Sequence, residues 1–255
     1  MPDPYCGPAP LPAELWMRWN FDPPLLMVLA LLAMGHAALL RGTDHGPVAP
    51  HRIRGFAVLW LLAVALFVSP LCALTSALFS ARIAHHMALV AIAAPLQVFT
   101  LPPRLRDISW PPALPAAAAM VHAVLLWLWH APAPYAAALA DSAVFWAMEA
   151  SLFGSALLLW SATLSRRTRL ASSLGALLAT VVQTGLLGAA ITFARTPLYD
   201  YHIGSTTPWG LSALADQQLA GLIMWVPAAV PYLFAALALT TARLLQTSAT
   251  GETPT

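Results

Sequence analysis

A small set of side chains in this sequence could bind a metal ion, hold a charge or pass a proton: Cys72, Arg82, His85, His86, His122, His130, Glu149, Asp216 and Met224. Imidazole, thiol and thioether are soft or borderline donors suited to late transition metals. The Glu149 carboxylate is harder and suits a proton, a charge partner or a more oxidised ion. No GxSxG, HExxH or nucleotide-binding loop accompanies them, so an enzyme is not expected. Such a set holds or passes an ion rather than breaking bonds.

The elements that must position these groups are membrane helices. Of the 255 residues 60% are hydrophobic and only 9% charged, whereas a soluble domain carries about 25% charged residues to face water. The expected class is therefore all-α, a polytopic helical bundle in lipid. Apolar runs place about seven spans at 24–40, 55–74, 78–100, 114–130, 142–164, 170–194 and 214–243, each near the ~20 residues that cross a bilayer. Turn chemistry separates them at Arg41-Gly42-Thr43-Asp44, Pro102-Pro103, Pro111-Pro112, Pro132-Ala133-Pro134 and Gly204 through Pro208. The second and third spans should form a tight antiparallel hairpin after Ser69-Pro70. One domain, 24–243, follows a segment 1–23 and precedes a short tail 244–255.

Arginine placement gives the orientation. Arg41, Arg52, Arg54, Arg104, Arg106, Arg166, Arg167, Arg169 and Arg243 fall on one side, against Arg18, Arg82 and Arg195 on the other. By the positive-inside rule the N-terminus lies outside and the C-terminus in the cytoplasm, which leaves His45 and His51 solvated on the cytoplasmic side. Residues 1–22 include Asp3, Glu14 and Asp22 and have no basic stretch before an apolar core, which argues against a cleaved signal peptide. A net charge of +2 gives no nucleic-acid surface. Cys6 and Cys72 form no CxxC motif, though a disulfide between them is topologically allowed. No internal repeat of the transporter kind is evident. Gly185 and Gly188, with Thr184 and Ala189, read as a close helix-packing face.

Depth can be counted at ~1.5 Å per helical residue. His86, His122, Glu149 and Met224 each lie eight residues from the outer end of a span, about 12 Å down. A shallower layer holds Cys72, Arg82, His130, Asp141, Tyr199, His202 and Asp216. Each has a bland reading beside the functional one. His122 bonds a neighbouring helix, Glu149 pairs with Arg82, Met224 fills the core, and Cys72 packs as a small apolar residue. His85 is about 100° round the helix from His86, so His86 is expected to face inward and His85 to sit apart.

Several stretches together resemble the CtaG-type family of cytochrome c oxidase assembly proteins. They are Ser69-Pro70-Leu71 with Leu78 through His86; Trp127-Leu128-Trp129-His130-Ala131-Pro132 with Tyr135; Gly154-Ser155-Ala156-Leu157; and Leu214-Ala215-Asp216-Gln217-Gln218 on to Trp225. The resemblance implies a bacterial inner-membrane, multi-pass assembly factor for a haem-copper oxidase, acting at the outer face in copper-centre maturation. It implies an oxidase subunit and a periplasmic copper chaperone as partners, with lipid around the bundle. The family pattern has two histidines four apart in the third span, one after Trp-Leu-Trp, and two four apart in the fifth span. His86 and His130 match it, while Arg82, Phe145 and Glu149 stand at the other three positions.

The resemblance makes copper the expected ion. His86 and His130 are the first-choice ligands, with His122, Met224 and Cys72 as further ligands. Arg82, Glu149, Asp216 and His85 would pair charges or support the ligands. The rivals are a metal-ion or proton transporter, which needs a polar path through the other half, and a purely structural membrane partner.

Overall fold

The computed structural model describes residues 4–41 and 48–250. The expected turn at Gly42-Thr43-Asp44, together with Asp3 and His45, lies outside them. Every regular element among the described residues is helical. Helix α1 spans Pro23–Arg41 and α2 spans Pro50–Phe67; α3, Pro70–Ala77, precedes α4, Phe79–Ala88. A wide π turn, Leu89–Ala93, carries α4 into α5, Ala94–Thr100, and α6 is the short Pro103–Arg106. Then come α7, Leu114–His130; α8, Pro132–Ala140; α9, Ser142–Leu164; and α10, Leu170–Thr192. Helices α11, Ala213–Trp225, and α12, Ala229–Thr250, complete the bundle.

Among the described residues six helical stretches are long and apolar enough to cross a membrane: α1, α2, α4–α5, α9, α10 and α11–α12. A seventh is reached where α7 is counted with α8, which bends away from it by 72°. That bend follows from Pro132, which directs Ala131 to an extended conformation and starts α8 at its own first position. The chain is thus an all-helical multi-pass bundle of six to seven spans.

The second span ends earlier than its apolar run suggests. Helix α2 stops at Phe67 rather than near 74, and the expected tight hairpin is replaced by the eight-residue helix α3. The cause is local. The Ser69 side chain accepts the Leu71 N–H and Pro70 takes the first helical position, so Ser69-Pro70 starts a helix instead of ending a turn. The last span divides in the same way, at Val226–Ala228 around Pro227.

Within the third span Pro95 cannot donate to the helical ladder. In the π turn just before it the Val90 carbonyl accepts the Trp160 indole N–H at 2.9 Å. Trp160 also stacks on Tyr232 of α12 with ring centroids 4.9 Å apart, so one buried indole ties α9, the third span and α12 together.

Residues 4–22 fold against one end of the bundle, called here the near end. At the far end the buried His36 holds α1 to its neighbours. Its Nδ1 accepts the Trp60 indole N–H at 3.3 Å, and its Nε2 lies 3.0 Å from the Thr100 hydroxyl. The Arg52 Nε–H donates to the Thr100 carbonyl at 3.1 Å.

The small-residue face of α10 does make a close approach. A Cβ placed on Gly188 would lie 2.7 Å from the Gly221 carbonyl oxygen and 2.9 Å from the Trp225 nitrogen, both backbone atoms of α11. Gly185 faces only the movable Trp225 ring, at 3.3 Å, and Gly175 meets nothing within 4 Å. Gly188→Ala should therefore cost about 1–3 kcal/mol through overpacking. Gly185→Ala should cost less and Gly175→Ala nothing measurable. Thermal unfolding of the three variants in one detergent checks this order, and equal Tm values would contradict the close approach.

Candidate functional site

The site is assembled by three helices. Asp216 of α11 accepts the Phe79 N–H at 2.6 Å and the Ser80 N–H at 3.3 Å, and it also bonds the Ser80 hydroxyl. It thereby caps the N-terminus of α4 from a different helix and satisfies donors that a helix start leaves free. This fixes the register of Arg82, His85 and His86. Asp141 caps α9 in the ordinary way, accepting from Ala143 and Val144, and sets the height of Phe145 and Glu149. His130 ends α7. Its backbone carbonyl accepts the Tyr199 hydroxyl at 2.7 Å, which ties it to the segment between α10 and α11.

Glu149 is the centre. Its Oε1 lies 3.2 Å from His86 Nε2 and 3.7 Å from Arg82 Nη1, and its Oε2 lies 3.5 Å from His85 Nε2. Arg82 and His86 have no exposed surface and Glu149 only 2%. The Arg82 guanidinium also lies over the Phe145 ring, 5.3 Å from its centroid, a cation–π contact. None of its nitrogens has a protein hydrogen-bond partner among the described residues. His85 does not sit apart as expected. It is buried, edge-on to Phe67, and contacts the same carboxylate as His86. The two rings diverge, but a carboxylate has two oxygens and can meet both.

The two expected imidazoles do meet: His86 Nδ1 lies 3.5 Å from His130 Nε2. Their partners set the tautomers. His130 Nδ1 is 2.7 Å from the Leu126 carbonyl oxygen, which can only accept, so Nδ1 carries the proton and Nε2 is a bare lone pair. His86 Nε2 faces the Glu149 carboxylate, so in neutral His86 the proton sits there and Nδ1 is bare as well. Two lone pairs then face each other in a buried site. One shared cation, a proton or a metal ion, relieves that arrangement, and the carboxylate and carbonyl behind the rings are the kind of support that orients metal-binding histidines.

The remaining candidates stand elsewhere. His122 Nδ1 bonds the Ser155 hydroxyl at 2.9 Å, so its imidazole joins α7 to α9. Met224 is fully buried in the core on α11. Cys72 is not a free ligand: it forms a disulfide with Cys6, which corrects its assignment as a metal-binding thiol. The mate was in the sequence, but nothing in the spacing of two cysteines 66 residues apart revealed that the N-terminal segment folds back over α3. Among the described residues Asp216 pairs with no charge; it caps α4 instead. Among the described residues no three His, Cys, Asp or Glu side chains form a group able to hold a metal ion. What the geometry brings together is one pair of facing imidazole nitrogens, His86 Nδ1 and His130 Nε2.

Beside the site, an apolar cleft of about 510 Å³ lies between α8 and the segment 198–201, lined by Tyr135, Leu139 and Tyr199 among others. The Tyr135 hydroxyl and His202 Nε2 are 2.8 Å apart, and His202 Nδ1 lies 3.4 Å from the Ala77 carbonyl. A neutral His202 thus donates from Nδ1 and accepts the phenol at Nε2.

A model of the family described as cytochrome c oxidase caa3 assembly factor matches residues 30–245 of this chain. No curated protein and no solved structure matches it.

Two predictions follow from the contacts. Removing one member of a buried ion pair strands the other, at about 3–5 kcal/mol. Glu149→Gln and Arg82→Gln should each lower the Tm, and the double variant should recover part of the loss; strictly additive losses would mean the two groups do not interact. For His202, burial pulls the imidazole down from 6.5 to about 4. The unfolded chain then takes up the proton first, so stability is intact above pH 6.5 and is lost as the pH falls toward 4. The drop in Tm between pH 7.5 and pH 4.5 should be smaller for His202→Gln than for the natural chain, and an equal drop would count against this assignment.

Proposed function

We infer that this chain, which belongs to the cytochrome c oxidase caa3 assembly factor family, passes copper toward the maturing oxidase at the non-cytoplasmic face of the membrane. Copper is the cargo, met by His86 Nδ1 and His130 Nε2. The observation that carries this reading is the held pair of bare imidazole nitrogens, each backed by a fixed acceptor. Imidazole suits copper, and an ion met by few ligands is more readily released than one in a closed four-ligand site.

The face is supported by charge and by redox chemistry. Nine of the twelve arginines belong to the far-end loops and the C-terminal stretch, which the positive-inside rule puts in the cytoplasm. The Cys6–Cys72 disulfide lies at the near end, and disulfides persist in oxidising compartments such as the bacterial periplasm. A bacterial cytoplasmic membrane, an oxidase subunit as acceptor and a periplasmic copper carrier as donor fit this arrangement. The role is transfer and positioning, with no bond chemistry.

A copper-free scaffold is favoured by one observation, that among the described residues no third ligand joins the histidine pair in a metal-binding group. A transporter is disfavoured because His36, the buried histidine of the far half, has both nitrogens engaged by Trp60 and Thr100.

The deciding experiment is the double variant His86→Ala/His130→Ala. The protein should remain in the membrane at normal abundance, since a lost hydrogen bond between membrane helices costs about 0.6 kcal/mol on average. The oxidase should lose activity and copper while keeping at least part of its haem. Full oxidase activity would leave the histidines structural and favour the scaffold. A change in total cellular copper with a copper-replete oxidase would favour transport.

A further inference from the structure

The segment 4–22 packs over Phe145 beside the cluster and is cross-linked to α3 by the Cys6–Cys72 disulfide. The Tyr5 ring stacks on Phe145 at 4.9 Å and meets Trp146 edge-on at 5.0 Å, while the Arg82 guanidinium also contacts the Phe145 ring. Phe145 precedes Glu149 by one helical turn, so Tyr5, Phe145 and Arg82 form a column from the near end down to the carboxylate. One hydrogen bond braces the segment internally and three join it to the bundle. The Tyr5 hydroxyl donates to Asp22 at 2.6 Å, and burial and that carboxylate push the phenol up to about 12, keeping it a donor. Asn20 donates to the Phe67 carbonyl at 3.1 Å from its side chain and to the Val68 carbonyl at 2.8 Å from its backbone. The Trp209 indole donates to the Pro10 carbonyl at 3.2 Å.

We propose that residues 4–22 are a removable cover over the Arg82–Glu149–His86–His130 cluster, and that the Cys6–Cys72 disulfide is its release point, opened by a dithiol reductant through thiol–disulfide exchange. The chemistry has a direction. Cys6 keeps 9% of its surface exposed and Cys72 none, so the incoming thiolate attacks the Cys6 sulfur. The S–S bond breaks and Cys72 leaves as thiolate. Cys72 lies in the first turn of α3, where the helix dipole favours a negative charge, and the Asn20 side-chain amide points at its sulfur from 3.9 Å. The second thiol of the reductant then attacks its own sulfur in the mixed disulfide and releases Cys6. Two electrons and two protons pass to Cys6 and Cys72, and the reductant leaves as its disulfide. With the bond open, noncovalent contacts alone hold the cover: the Tyr5 stack, the packing of the buried Leu15 and the hydrogen bonds to Phe67, Val68 and Trp209.

This inference goes beyond the copper reading and does not depend on what the cluster carries. The test uses the full-length protein in detergent, with dithiothreitol as the reductant and diethyl pyrocarbonate as the probe of imidazole access. Carbethoxylation of His86 and His130 is read by mass spectrometry, and maleimide capture counts freed thiols. In the oxidised protein both imidazoles should be protected. Reduction should free two thiols and raise their modification at least tenfold, while far-UV circular dichroism stays that of the folded bundle. Cys6→Ser should behave as the reduced protein without reductant. Tyr5→Ala, with the disulfide intact, should fall between the two. The proposal is overturned if the disulfide resists dithiothreitol in the folded protein. It is also overturned if the imidazoles react equally in both redox states, or if modification rises only together with loss of helicity. Should Cys6→Ser fail to accumulate, the reduced natural protein and Tyr5→Ala decide the matter.

Discussion

One carboxylate organises this bundle. Glu149 is almost wholly buried in a membrane helix, and a charge in that position is costly unless an opposite charge or a donor meets it. Arg82, His85 and His86 all answer it from α4, on three different rotations of the helix, so each of its oxygens lies within 3.7 Å of one of their nitrogens. The relative height and rotation of α4 and α9 are thereby set. Slide either helix by one turn, about 5.4 Å, and both an arginine and a carboxylate are stranded in an apolar core. The ion pair is weak evidence of net stability, since desolvation offsets much of the attraction. Its effect is on register.

The surrounding architecture serves that register. Asp216 holds the start of α4 from α11, and α11 is placed by the close approach of its Gly221 to Gly188 of α10. Glycine is needed at this crossing because any Cβ would meet backbone atoms that cannot rotate away. Below the cluster, the π turn before Pro95 leaves the Val90 carbonyl to Trp160, whose indole fixes that stretch of the third span against α9. Above it, Tyr199 stacks on Phe79 at 3.9 Å and grips the His130 carbonyl, joining the start of α4 to the end of α7.

Much of this was legible as depth. Counting residues from span ends placed His86 and Glu149 at one level with Arg82 above them, and the three do converge, because rise per residue is fixed by the helix. Rotation was less legible. An angle of 100° between His85 and His86 argued that only one faces inward, yet a two-oxygen partner accommodates both. Partner identity was least legible. His122 found Ser155 and Asp216 found the backbone of another helix, since hydroxyls and helix starts leave no mark in a charge pattern. The fate of Cys72 depended on a fold-back of residues 4–22, which no hydrophobic periodicity records. The missed start of α3 is different: Ser69-Pro70 carries a helix-start signal, but it sat inside an apolar run whose length dominated the reading.

The two ends of the bundle treat their buried polar groups differently. At the far end the buried His36 has Trp60 on one nitrogen and Thr100 on the other, so nothing on its ring is left to interact with an incoming ion. This chain can therefore satisfy a buried histidine completely when the histidine only joins helices. Around Glu149 it does not. The Arg82 nitrogens, both His85 nitrogens and Glu149 Oε2 are buried without a protein hydrogen-bond partner among the described residues, and the bare nitrogens of His86 and His130 face each other. Buried groups left in that condition cost free energy, and a fold selected for stability alone replaces them with apolar residues. Such groups gather around Glu149 beside a fully engaged histidine at the far end, and the proposed function is placed at that cluster for this reason.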